Sequence, residues 1–407
     1  MELYEAGELL DQHKYPQAFS AFMKLAKQGE AKAQNAIGQM YAAGQGVEFD
    51  HEKSFYWYMQ SARQGNRVGQ LHVGRMYLQG IGVEQNLPDA LEWLRKSANQ
   101  NCLPAQFLLG NMYSQGIEVN HNQDVAIKYW MQASEAGYAQ AQYQLGAYFF
   151  TRKESPDYNL ALHWLTLAAE QGIVNAQHNL GVMYEDGLGV PQDIKQAIDW
   201  YLMAAENGNA ASQNDIAAIL QSGKAGAPDY VRAEKYFQKA AAQNYTVAQY
   251  NLGLLYMTGK GISKDYETAK KFLKLAANDG HVGAMYALGT ASLSCEYGML
   301  NYEEAISLFQ KAASKGDALS MYQLGIMYRD GLGVQRNDAS AFYWFDQSAR
   351  IGCSPAQNQL GIFYSEGIGV SKDIYMAEKF FRLASKSGSP DAIININKFL
   401  KWSGLTN

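Results

Sequence analysis

Three cysteines, Cys102, Cys295 and Cys353, are spread over 407 residues without a common spacing. They exclude a disulfide framework and give no zinc-ligand pattern. Only 8 prolines interrupt the chain, so long helical stretches are permitted. No run of 18 apolar residues is present, so no helix is expected to span a membrane. The formal charge is −5 and the charges are spread along the chain with no basic stripe; nucleic acid is not an expected partner. The first residues, Met1-Glu2-Leu3-Tyr4-Glu5-Ala6-Gly7-Glu8, are acidic and amphipathic. They lack the basic start and apolar core of a signal peptide, so a cytoplasmic location is expected.

Chemistry-bearing motifs are also missing. The seven histidines, His13, His51, His72, His121, His163, His178 and His281, show no His-Glu-x-x-His spacing. No Gly-x-Ser-x-Gly elbow occurs. The stretch Gly253 to Gly261 is one residue too long for a phosphate loop, and Gly261 stands where Ser or Thr must hold magnesium. No catalytic residue, metal, cofactor or small-molecule substrate is therefore assigned.

What the chain does have is a period. Gly38, Gly74, Gly110, Gly146, Gly181, Gly253, Gly289, Gly325 and Gly361 recur 36 residues apart, with Ala217 in the series once and a single step of 35 between Gly146 and Gly181. A fixed period of this length marks a repeat array in which each unit packs on its neighbours. Within one unit, Gly69, Val73, Gly74 and Tyr77 lie on one stripe of a first helix, which Gly80-Ile81-Gly82-Val83 ends. A second amphipathic helix follows, with Asn86 as its N-cap and Pro88 in its first turn.

The columns extend this reading to every unit. Asp50, Asn86, Asn122, Asp157, Asp193, Asp229, Asp265, Asn301, Asn337 and Asp373 precede the second helices. A ladder of acidic ligands is one way to read them; capping of orphan amides accounts for all ten. Ser54 and Ala90 begin one small column, and Ala62 and Ala98 begin another, which lets neighbouring helices approach closely. Trp57, Trp93, Tyr129, Trp164, Trp200, Tyr236, Phe272, Leu308, Trp344 and Phe380 form a bulky column between them, read here as core. Each second helix should end at Gly65, Asn101, Gly137, Gly172, Gly208, Asn244, Gly280, Gly316, Gly352 or Gly388. The pattern breaks at Phe149-Phe150-Thr151-Arg152-Lys153-Glu154-Ser155-Pro156-Asp157, at Gly223 to Pro228, and at Ser292 to Gly298.

Ala176-Gln177-His178-Asn179-Leu180-Gly181-Val182-Met183-Tyr184, followed by Gly187-Leu188-Gly189-Val190, and the similar stretch Gln323 to Val334 resemble the Sel-one-like repeat family, an α/α-repeat relative of the tetratricopeptide proteins. The resemblance implies an all-α, right-handed superhelical solenoid of about ten helix pairs over residues 31–389. An N-terminal capping pair (1–30) and a C-terminal capping helix and tail (390–407) would flank it.

In the tetratricopeptide fold the first helix of each pair lines a concave groove. Similarity to that fold assigns to the groove the positions three before, one after and four after the repeat glycine. These include Leu71, Phe107, Tyr143, Phe150, Val182, Tyr250, Leu254, Met257, Tyr286, Leu293, Tyr322 and Ile326, with Arg75, Glu185, Asp186, Arg329, Asp330 and Glu366 at the edge. The same aromatics can equally stack between repeats. The resemblance implies a non-enzymatic, bacterial adaptor or scaffold that binds a protein or peptide. Alternatives are an immunity protein that wraps a toxin or enzyme, and an exported effector. A cysteine-rich subgroup linked to penicillin binding and β-lactamase activity is the remote enzyme alternative; it pairs cysteines within each repeat, and this chain has no such pair.

Overall fold

The first helices begin where the sequence allows and stop where it requires. Arg67–Gln79 starts from Asn66, whose side chain accepts from the amides of Val68 and Gly69, each at 3.0 Å. It ends at Gly80 with φ +68°, a left-handed cap open to glycine at no steric cost. Its second helix, Leu87–Ala98, starts from Asn86, which accepts from Asp89 N at 3.1 Å. All ten capping residues of the second helices behave this way, each accepting from an amide two or three residues on at 2.9 to 3.1 Å. These local hydrogen bonds, two of them at Asp193, therefore fix where ten helices start, each cap stabilising by about 1 kcal/mol. At the other end, Asn101 and Asn244 adopt the left-handed conformation that Gly65, Gly137 and Gly172 adopt elsewhere.

The computed structural model describes residues 2–152, 155–297, 300–387 and 390–403. Lys153, Glu154, Gly298 and Gly388, which figure in the expected loop breaks and helix ends, lie outside them. Among the described residues there are 23 α-helices and no strand. The chain divides into two compact units, Met1–Asn207 and Gly208–Asn407. The first holds six helix pairs, from Glu2–Asp11 to Ile194–Glu206. The second holds five pairs, from Ala210–Ser222 to Ile374–Lys386, and then the helix Pro390–Ser403. In that last helix Ala392, Ile396 and Phe399 are buried 36 residues after Ala356, Leu360 and Phe363, so it keeps the register of a first helix. Exposed Asn397 stands where the repeat glycine would be.

The core is one column away from the bulky residues picked out by pattern. Of those, only Trp164 is buried; Trp57, Trp93, Tyr129, Trp200, Tyr236, Phe272, Leu308, Trp344 and Phe380 are half-buried. The residue after each is the true filler: Tyr58, Leu94, Trp130, Leu165, Tyr201, Phe237, Leu273, Phe309, Phe345 and Phe381 are all at most 3% exposed. The difference is a rotation of about 100° about the helix. Ala-x-x-Trp and Ala-x-x-x-Phe both satisfy a helical stripe, and only the position of the facing helix decides between them.

The filler explains the glycine. A Cβ on Gly74 would lie 2.8 Å from Leu94 Cγ, and one on Gly325 2.5 Å from Phe345 Cδ1. The missing side chain is the slot into which the second helix inserts its largest apolar group, well inside the 3.5–4.0 Å of a normal carbon contact. At Ala217 a methyl is accommodated in the cluster that contains Phe237.

A buried polar column accompanies the apolar one. Gln34, Gln70, Gln106, Gln142 and Gln177 are at most 6% exposed. Each Nε2 donates to a carbonyl in the last turn of the preceding second helix, Ala26, Ala62, Ala98, Ser134 and Ala169 respectively, at 3.1 to 3.4 Å. Each of those carbonyls also accepts the backbone amide three residues on, at 2.9 to 3.1 Å. The glutamine thus takes the second lone pair of each carbonyl and ties consecutive pairs together.

Candidate functional site

The proposed binding residues are placed by the first helices, and each unit holds its own set. In Met1–Asn207, Leu71 is 7% exposed and packs with Leu91 and Leu94, so little of it can reach a partner. Arg75 is exposed. Phe107 is half-buried, its ring 5.7 Å from that of Tyr138, which begins the next first helix. Tyr143, Phe150 and Val182 are half-buried, Phe150 lying 6.1 Å from the Tyr158 ring. Glu185 accepts from the Tyr201 hydroxyl at 3.0 Å, and Asp186 is exposed.

In Gly208–Asn407 the corresponding residues form a row. Tyr250, Tyr286 and Tyr322 occupy one position of three successive first helices, Thr246–Thr258, Val282–Ser292 and Ala318–Asp330, and all three are half-buried. Tyr250 stacks on His281 at 4.3 Å. Tyr286 lies 6.0 Å from Phe309, and Tyr322 5.8 Å from Phe345. Each ring therefore packs one side against the adjoining elements. Burial pushes the pKa of the Tyr250 and Tyr322 hydroxyls above the usual phenol value. Leu254, Met257, Leu293 and Ile326 are half-buried beside them.

One charged group is held in place here. Arg329 donates through Nε and Nη2 to both oxygens of Asp330, at 2.7 and 2.8 Å, and through Nη1 to Gln359 at 3.0 Å. The forked ion pair holds the Asp330 carboxyl below the usual carboxylate range. Glu366 is exposed. Together these residues offer aromatic and aliphatic contact area with a fixed charge pair. None is a nucleophile held by a base.

Among the described residues, no three His, Cys, Asp or Glu side chains are grouped to hold a metal ion, and no helix is long and apolar enough to cross a membrane. Cys102 and Cys353 are buried and Cys295 is exposed; all three are free thiols. The glutamine column was missed in the sequence, although Ala-Gln recurs there at the same period. A polar residue fixed on a buried stripe was the available signal.

Paired helices at a constant period, joined by a buried glutamine column, define an α/α-repeat protein. The chain belongs to the Sel1 repeat family: ten copies of the Sel1 repeat match at residues 31–66, 68–102, 103–138, 139–173, 174–209, 210–245, 246–281, 282–317, 318–353 and 354–389. It is similar to the structure of a protective antigen of uropathogenic Escherichia coli with an SLR fold. The two are 30% identical over 95% of this chain and 83% of the antigen, with a TM-score of 0.82. A Sel1 repeat protein from Oxalobacter formigenes is 29% identical over 77% of this chain and 89% of its own length, with a TM-score of 0.61. An immunity protein of Pseudomonas aeruginosa is 21% identical over 53% of this chain and 82% of its own, at a TM-score of 0.37, too loose a likeness to carry an argument. No curated protein matches.

Proposed function

We propose that this chain is a non-enzymatic scaffold that captures a protein or peptide partner on the face of its first helices. The observation that carries this reading is the row Tyr250, Tyr286 and Tyr322, each packed on one side and accessible on the other, beside half-buried Leu254, Met257 and Ile326. Large amphipathic rings held in this way bind with little loss of side-chain freedom, which is why Tyr dominates interfaces. Arg329 and Asp330 at the edge of the row select orientation by charge. Phe107, Tyr143 and Phe150 offer similar surface in the first unit.

The test is affinity capture from the native cell with the full chain, the captured proteins being identified by mass spectrometry. The leading protein is then titrated against the wild type and the Tyr250→Ala, Tyr286→Ala variant. The double variant should lower affinity at least tenfold with unchanged circular dichroism. Equal affinity in a folded double variant removes the row from the site.

A second reading, export from a bacterial cell, draws on the likeness to a protective antigen along 95% of this chain. Detection of the chain outside fractionated cells, with a cytoplasmic marker retained inside, would support it; strict co-fractionation with the marker would refute it.

A further inference from the structure

The glutamine column has a second half. In four repeats the Oε1 of the buried glutamine accepts from another glutamine, at the end of the second helix: Gln64 to Gln34, Gln100 to Gln70, Gln171 to Gln142 and Gln243 to Gln213, at 2.7 to 2.9 Å. The corresponding residue for Gln106 is Ala136. Gln106 is 5% exposed, and its Oε1 has no donor from the chain. Asn207 and Asp279 occupy the same position opposite Gln177 and Gln249, whose Oε1 atoms also lack a donor. Of these three residues, only Ala136 leaves nothing beyond a methyl.

A cleft of about 370 Å³ lies beside Gln106, lined by Asn101, Gln106, Val125, Lys128, Tyr129 and Gln132. Its size is at the lower end of ligand sites, suited to a single side chain. The acceptor at its base costs free energy while unpaired, so a ligand that supplies an N–H recovers it. The Lys128 ammonium at the rim disfavours a cationic donor, and the half-buried Tyr129 ring offers a flat wall to a planar group. A neutral, planar, donating group with an apolar stem is a carboxamide, and four other repeats hold one at this place.

We propose that this cleft binds the side-chain carboxamide of a glutamine carried by a partner polypeptide. Its N–H donates to Gln106 Oε1 and its methylenes lie along Tyr129. The site lies in Met1–Asn207 and stands on residues separate from the row of tyrosines, so each proposal can fail without the other.

The experiment is ligand-observed saturation-transfer NMR on the full chain, with N-acetyl-Ala-Gln-Ala-N-methylamide as probe and the same peptide carrying Glu or Leu as controls. The Gln peptide should saturate with a Kd on the order of millimolar to tens of millimolar, as a few buried atoms allow. The Glu and Leu peptides should give at least fivefold less signal.

Two variants locate the contact. Ala136→Gln supplies the internal donor; Ala136 and Gln64 share nearly the same backbone, φ −82°, ψ 7° and φ −84°, ψ 7°. It should raise the unfolding midpoint by about 2 °C and remove the Gln-peptide signal. Gln106→Met removes the acceptor with a residue that the chain itself places in this column, at Met285 and Met321; it should remove the Gln preference. Equal signals from the three peptides, a Gln-peptide signal that survives both variants, or no saturable signal would each overturn the proposal, the last leaving a cleft that holds water only.

Discussion

Replacing Gly325 by Ala tests whether the repeat glycine is a packing slot or only a weak point in a helix. In an exposed helix interior the change stabilises by about 1 kcal/mol, because alanine is the better helix former. At Gly325 the added Cβ falls 2.5 Å from Phe345 Cδ1 and 3.0 Å from Cγ. Phe345 cannot simply retreat: it is fully buried and packs edge-on against Phe363 at 5.4 Å, with Tyr322 at 5.8 Å. Overpacking of this kind costs about 1–3 kcal/mol, and disturbing the aromatic pair adds about 0.5–1.5 kcal/mol. After the helix gain is subtracted, a net loss of about 1–3 kcal/mol remains. Ala217 runs the experiment in reverse. Its methyl is buried with Phe237, so Ala217→Gly forfeits about 1 kcal/mol of helix preference and about 0.8 kcal/mol of burial. Repeat arrays open locally, so hydrogen exchange is a better assay than a single global unfolding curve. In Gly325→Ala, exchange across Ala318–Asp330 and Asp338–Arg350 should accelerate roughly 5- to 150-fold. Slower exchange there, as in an ordinary Gly-to-Ala helix substitution, would refute the slot.

Two further outcomes follow from the caps and from one half-buried histidine. Asp193 accepts from both Lys195 N and Gln196 N, at 2.9 and 3.1 Å; Asp193→Ala should destabilise by about 1–2 kcal/mol, read as faster exchange at the start of Ile194–Glu206. His72 stacks on Tyr58 at 4.3 Å, and burial, with the Arg75 charge behind it, pushes its pKa down to about 4. The folded chain therefore keeps His72 neutral while the unfolded chain protonates it near pH 6.5. Its contribution is complete above pH 6.5 and is lost as pH falls toward 4, up to roughly 3 kcal/mol. His72→Phe keeps the stack and should flatten that part of the pH–stability curve; an unchanged difference between pH 7 and pH 4.5 would exclude His72 as the source.

The features readable in the sequence are those that a residue settles with its own backbone. Ten Asp or Asn caps were placed correctly because each bonds to an amide two or three residues away. Asn101 and Asn244 were recognised as helix ends because the left-handed conformation is a property of the residue itself. The core column was missed by one residue, because Trp344 and Phe345 both fit a helical stripe and only the position of Gly325 on the facing helix distinguishes them. The buried glutamines were missed for a related reason. Gln142 is polar and helix-compatible, and its burial follows from two partners, Ser134 O and Gln171 Nε2, which lie 8 and 29 residues away. The tyrosine row was legible as a pattern. Its half-buried state comes from contacts such as Tyr250 with His281, which lie far apart in the sequence and meet only in the folded chain.

Individual function in such a chain has to be sought where the repeat fails to complete itself. A column filled in every unit does structural work in every unit, as the caps and the glycine slots do. Substitutions at such a column are informative when they leave a physical debt in the structure. The early end of Val282–Ser292 is one departure, but Ser292 donates to Leu288 O at 3.0 Å, and its backbone carbonyl still accepts Asn301 N at 2.9 Å. At Ser292, then, the hydroxyl and the carbonyl are both satisfied internally. Ala136 differs in kind. It leaves the buried Gln106 acceptor without a donor, and Gln106 also lines a cleft; an unpaired buried amide oxygen costs about 1–3 kcal/mol. A repeat protein that retains such a cost has a place where a partner's group can be worth more than a contact on open surface. On that criterion the Gln106 cleft ranks above the loops whose sequence merely drifts.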